Sequence, residues 1–93
     1  MSRAQWTWPA RADLAAIDAY YETLNPDVAS KVARLAMAAG RFLAEHPRAG
    51  PEIKPGIRKW RVPRTDDILV YRLVRGGIQM VRVYHARQQW RPE

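Results

Sequence analysis

Ninety-three residues at 47% hydrophobic and 27% charged support one globular unit, 1–93, with one modest core. The absence of cysteine excludes disulfides, thiolate chemistry and the commonest zinc sites, and no apolar run approaches the roughly 20 residues of a membrane span. The net charge of +7 is carried wholly by residues 47–93, where eleven Lys/Arg stand against four Asp/Glu, whereas residues 1–46 balance at five and five. Such segregation is the footprint of an anionic partner, either nucleic acid or an acidic protein; the plainer reading is a basic surface kept for solubility. The start of the chain lacks the apolar segment of a secretory signal, so the expected setting is cytoplasmic, with no membrane partner.

In chain order, Gln5-Trp6-Thr7-Trp8 alternates as a short half-buried strand would, and Pro9 suits the first turn of a helix. Residues 10–24 place Leu14, Ile17, Tyr21 and Leu24 on one helical face. Asn25-Pro26-Asp27 reads as a cap and restart. The second helix then runs to about Glu45, with Val28, Val32, Leu35, Ala39, Phe42 and Leu43 as its expected buried stripe. So short a connection makes the pair an antiparallel helical hairpin. His46 reads as a surface residue suited to the helix end. Residues 46–56, rich in Pro and Gly, read as a loop and a tight turn.

Three strands follow: residues 57–62, residues 68–74, and a third from Ile78, the last two folded about Arg75-Gly76-Gly77. The expected fold is therefore α+β, in the order β-α-α-β-β-β, an antiparallel sheet with the helical hairpin packed on one face. Two hairpin registers are open. A three-residue loop at Arg75-Gly76-Gly77 puts Arg72, Arg82 and Tyr84 on one face, opposite Leu69, Tyr71, Leu73, Val81 and Val83. A two-residue Gly-Gly loop separates the arginines. The first is preferred because it yields a coherent cationic face.

Ala12-Asp13-Leu14, Ile17, Tyr20-Tyr21, Asn25-Pro26, Ala29, Leu43, Pro47 and Gly50 follow one another as in the RelE/ParE family of bacterial toxins. Ile57-Arg58, Leu69-Val70-Tyr71-Arg72, Gly77, Val81-Arg82-Val83 and His85-Ala86-Arg87-Gln88 continue the likeness, which spans roughly residues 6–90. The resemblance implies a toxin of a type II toxin–antitoxin module, held in a hetero-oligomer by an acidic antitoxin, ParD-like or similar. It implies no cofactor and no metal. The segregated charge suits such a partner through complementary electrostatics, and the groove beside the first helices is a natural place for it to dock. Leu14, Ile17, Tyr20, Tyr21, Arg82 and Trp90 are the antitoxin-binding candidates.

The family divides by target. ParE-like members inhibit DNA gyrase, whereas RelE-like members are ribosome-dependent endoribonucleases acting on mRNA. Cleavage through the 2′-hydroxyl needs a proton acceptor, cations for the phosphorane charge and an acid for the leaving oxygen. His85 is the catalytic candidate of that alternative, as the cluster's one residue of a type whose unperturbed pKa is near neutrality; a strand-end imidazole bonded to backbone is its plainer reading. Arg58, Lys59, Arg61, Arg72, Arg82, Arg87 and Trp90 are candidates for binding the target or its phosphates. Ile68 stands where RelE-like nucleases carry an arginine, and the segment supplying their aromatic catalytic residue is not matched. The His-Ala-Arg-Gln-Gln-Trp run resembles the ending of ParE-like toxins. The expectation is thus a gyrase inhibitor rather than an enzyme, with the nuclease as alternative and an inactive antitoxin-binding module as a third class.

Overall fold

Asn25 divides the helical part of the chain, and the computed structural model, which describes residues 3–85, shows how. Its backbone N–H donates to the carbonyl of Tyr21 and closes α1 (Trp8–Leu24). Its side-chain oxygen accepts from the N–H of Asp27 and caps α2 (Pro26–Glu45), with Pro26 in the first turn, as the local chemistry predicts. α1 begins earlier than its periodicity suggests. Thr7 is its N-cap, accepting from the N–H of Ala10, so Trp8 opens the helix at 81% exposure instead of alternating with Trp6 on a strand.

Five strands form one sheet: β1 (Arg3–Trp6), β2 (Glu52–Lys54), β3 (Ile57–Arg61), β4 (Asp67–Val74) and β5 (Gly77–His85), in spatial order β1-β5-β4-β3-β2. The α+β architecture with a helical hairpin against the sheet is as expected, with two corrections. First, β1 pairs with β5 in parallel, so the sheet is mixed. Strand direction is invisible in a four-residue pattern; it follows here from the β4–β5 hairpin, whose free edge β1 joins after a connection long enough to permit parallel pairing. Second, the stretch read as loop holds β2, three residues between Pro51 and Pro55 that pair irregularly with β3.

The core joins Ile17 and Leu43 of the helices to Leu69, Tyr71, Ile78, Met80 and Val83 of the sheet. The buried stripe of α2 differs from the predicted one: it consists of Ala29, Ala36, Ala39, Gly40, Leu43 and Ala44, while Val28 and Phe42 are exposed. Small residues let the helix approach the sheet closely. A Cβ on Gly40 would lie 3.3 Å from the Trp6 indole and 3.7 Å from the Met80 methyl, so those two large side chains fill the space instead. On α1, Ile17 is buried as expected, whereas Leu14 and Tyr21 are half-buried and Leu24 is 64% exposed.

The hairpin register corrects the expected loop. Val74 faces Gly77, which leaves a two-residue loop of Arg75-Gly76, with Gly76 at φ 82°. Gly77 serves another purpose: a Cβ there would collide with the backbone of Arg3, so this glycine admits β1. A two-residue loop alone would have split the arginines between faces. The ladder, however, slips between Val70 and Tyr71: Tyr71 faces Met80, Val70 faces Arg82, and Val81 is bulged out. Arg72, Arg82 and Tyr84 therefore share a face after all, because the bulge restores the parity that the loop removes. Leu73, expected in the core, is exposed at the hairpin end.

Candidate partner-binding surfaces

β1 covers the edge of β5 only as far as Met80, and α1 takes over from there. The Thr7 N–H donates to the Met80 carbonyl, and the Thr7 hydroxyl donates to the carbonyl of the bulged Val81. One turn into the helix, the Asp13 carboxylate accepts the Val83 N–H at 2.9 Å and the Arg82 guanidinium at 2.7 and 3.0 Å. This paired contact holds the Arg82 guanidinium above its ordinary pKa, through the hydrogen bond to Asp13 first. The guanidinium also lies 5.3 Å from the centre of the Tyr84 ring. At the far end of the helix, the Tyr21 hydroxyl and His85 Nε2 are hydrogen-bonded at 2.9 Å.

His85 is thus enclosed rather than presented. It is 7% exposed, with the Tyr20 ring edge-on to it and Tyr21 beside it. Across the ladder it faces Asp67, which is fully buried and whose carboxylate oxygens have no hydrogen-bond partner among the described residues. Burial raises the Asp67 pKa above its ordinary value; the charge of His85 pulls it back down and that of Asp66 adds to the rise. Asp67 was missed from the sequence, although the signal was there. It stands at the same strand parity as Leu69 and Tyr71, the core-facing positions of β4.

The large side chains displaced from the core line two grooves beside α2. One runs between the helices over Trp6, Leu14, Ile17, Val32 and Met37, with Arg11 and Asp18 at its rim. The other side of α2 faces the β3–β4 turn. There Val28 and Val32 meet Tyr21, Arg61 and Arg64, and further along Leu35 and Phe42 meet Trp60 and Pro63, with Arg64 common to both stretches. Phe42 stacks on Trp60 with centroids 5.4 Å apart and lies 4.7 Å from the His46 ring. This second surface is an apolar trough with Arg61, Arg64 and Asp66 among its lining, Asp66 beside Arg61. The stripe predicted to be core supplies one of its walls.

Of the predicted antitoxin contacts, Leu14 and Ile17 line the interhelical groove, Tyr21 the trough, and Tyr20 is exposed beside His85. Arg82 lies on the opposite side of the sheet core, held by Asp13. Trp90 and Arg87 lie outside the described residues. Among the target-binding candidates, Arg58 is bound to the fold: its guanidinium donates to the carbonyls of Gly50 at 2.6 Å and Arg48 at 3.3 Å, on the helix side of the sheet. Lys59, Arg61, Arg72 and Arg82 stand at strand positions of the other face by register, but Arg61, at the end of β3, also lines the trough beside α2. Arg61 there donates to the Thr65 carbonyl and lies 3.8 Å from Asp66.

A small mixed sheet, a helical hairpin and a basic open face define the class, and known proteins agree. The family model described as the ParE toxin of the type II toxin–antitoxin system parDE matches residues 4–90. A putative toxin of Sinorhizobium fredii, Y4kP, is 37% identical over 92 residues, covering 95% of this chain and 92% of its own. Toxin RelE2 of Caulobacter vibrioides is 33% identical over 86 residues, covering 92% and 97%. Among solved structures, one titled a chromosomal ParDE toxin–antitoxin system from P. aeruginosa superimposes with a TM-score of 0.80 at 28% identity, covering 94% of this chain and 98% of that one. The chain belongs to the ParE family of toxins of type II toxin–antitoxin systems. No helix among its described residues is long and apolar enough to cross a membrane.

Proposed function

We propose that this toxin inhibits DNA gyrase and is neutralised by an acidic antitoxin segment lying in the trough beside α2. The trough carries the antitoxin part of this reading. Val28 and Phe42 are 40% and 43% exposed on a helix whose other face is packed, and they are flanked by Arg61 and Arg64, with Asp66 as the one acid in the lining. A segment with apolar anchors and carboxylates complements that arrangement in both shape and charge. Binding of a cognate antitoxin measured by calorimetry should weaken at least about 100-fold in the Val28→Glu/Phe42→Glu variant. Affinity unchanged in a folded variant removes the trough as the antitoxin site.

The gyrase part is supported by the ParE family match over residues 4–90 together with the placement of His85. An imidazole that is 7% exposed and bonded to Tyr21 is poorly placed to exchange protons with an RNA 2′-hydroxyl, and Ile68 occupies the position where the nuclease class carries an arginine. Purified toxin in a supercoiling assay should stop the relaxed-to-supercoiled conversion at stoichiometric amounts. Full supercoiling at tenfold excess, with mRNA cleaved in a ribosome-primed reaction and spared by His85→Ala, overturns the assignment in favour of the nuclease.

A further inference from the structure

The turn between β3 and β4, which walls the trough opposite α2, departs from ordinary turn chemistry at one residue. Val62, Pro63, Arg64 and Thr65 form a β-turn in which the Thr65 N–H donates to the Val62 carbonyl at 3.2 Å. With Pro63 second and Arg64 third at φ 65°, it follows the type II pattern, whose third place ordinarily goes to Gly or Asn. Arg64 is the one non-glycine residue of positive φ among the described residues. Its side chain does nothing to hold the turn. The buried Thr65 hydroxyl donates to the Val62 carbonyl at 2.9 Å and accepts the Asp67 N–H at 3.0 Å, and the Val62 N–H donates to the Asp67 carbonyl at 2.9 Å. The Arg64 side chain is exposed and has no hydrogen bond or ion pair among the described residues. An arginine kept where the backbone disfavours it, with its charge unspent on the fold, points to use by a partner.

We infer that Arg64 is the residue by which the trough selects its partner, pairing with a carboxylate that the antitoxin segment carries between two apolar anchors. This rests on the trough as the antitoxin site and adds what the segment must present there. Arg64 is shared by both stretches of the trough, with Val28 and Val32 towards one end and Phe42 and Trp60 towards the other. Val32 and Phe42 stand roughly 15 Å apart along α2, too far for one anchor to fill both places, so the acid falls between two. The other cation of the lining is already engaged: Arg61 donates to the Thr65 carbonyl at 3.0 Å and lies 3.8 Å from Asp66. Asp66 offsets that charge and repels a carboxylate at that end, which leaves Arg64 as the place for one. The planar guanidinium fork can hold a carboxylate by two hydrogen bonds, and a backbone fixed by the Thr65 contacts has less freedom to lose on binding.

Calorimetry of the full-chain toxin with its cognate antitoxin tests the role through Arg64→Asn, which removes the charge and keeps a residue tolerant of positive φ. Affinity should fall about tenfold, while the melting temperature should be no lower than the parent's. Arg64→Asp should bind about 100-fold more weakly. Replacing the antitoxin's carboxylates by lysine one at a time should identify one position that recovers at least about tenfold against Arg64→Asp and weakens binding to the parent toxin. Parental affinity in Arg64→Asn, a melting temperature below the parent's, or the absence of any lysine replacement that recovers Arg64→Asp overturns the inference. The Val28→Glu/Phe42→Glu variant, measured alongside, separates this from the reading beneath it. If that variant binds weakly and Arg64→Asn binds as the parent does, the trough stands and the role of Arg64 falls; if both bind as the parent does, the trough falls as well.

Discussion

Tyr71 and Asp67 stand four residues apart on β4, face the same core and are both fully buried, yet their polar atoms are treated differently. The Tyr71 hydroxyl donates to the Pro47 carbonyl at 2.7 Å and accepts the Gly50 N–H at 3.0 Å, so it fastens the loop after α2 to the sheet. The Asp67 carboxylate has no hydrogen-bond partner among the described residues and faces His85. At one end of the row every buried group is satisfied, as the economy of a fold requires; at the other, a charge sits in a place that disfavours it. Strain of the second kind collects where a surface has work beyond folding, and here it lies under Tyr20, Tyr21 and His85.

The contrast can be broken from either end. Gly50→Ala should have the largest effect, because its Cβ would collide with the Lys59 carbonyl and the Tyr71 hydroxyl. A loss of about 3 kcal/mol or more is expected in urea unfolding, and a loss under 1 kcal/mol contradicts the tight end of the comparison. Tyr71→Phe removes one hydroxyl and leaves two backbone partners unpaired, for a loss of about 2 kcal/mol by the same measurement. Both substitutions should spare antitoxin binding in the fraction that remains folded.

Asp67→Asn should act in the opposite direction. Since burial raises the folded pKa above the ordinary 3.8, ionisation weighs against the fold. That penalty is absent below the unfolded pKa, grows as pH rises towards the folded pKa, and is complete above it. The variant should therefore be more stable than the parent by about 1 kcal/mol at pH 7, with the gap closing as pH falls towards 3.8. Thermal unfolding of both proteins at several pH values measures this; a gap that is constant with pH would falsify the account. Asp13→Asn should have the smallest effect, about 0.5–1 kcal/mol, because the amide oxygen can still accept the Val83 N–H while the half-exposed charge pair with Arg82 is lost.

Local chemistry was legible in the sequence and distant pairing was not. Asn25-Pro26-Asp27 announced the break between helices because a cap depends on three adjacent residues. The arginine face was foreseen, but through a loop the protein does not use; two opposing irregularities, the short loop and the Val81 bulge, gave the same parity. The α2 stripe was misplaced because its large apolar residues outweigh alanines in any periodicity, whereas the space beside Trp6 and Met80 admits only the alanines and Gly40. Asp67 escaped notice beside Asp66, since two acids before a strand look like a solvated turn. Among the described candidate cations, Arg58 is withdrawn to the helix side of the sheet, a fate set by carbonyls that no motif places next to it.

The parallel pairing of β1 with β5 also bears on the order in which the protein takes shape. Residues 3–6 find their partners only at 77–80, and Thr7, Asp13 and Tyr21 find theirs at 80–85. During synthesis the first strand and the inner contacts of α1 must wait for the last strand, so the early chain can form helices but cannot close the sheet. Because the basic open face spans β1, β5, β4 and β3, it too is assembled only once β5 has been made.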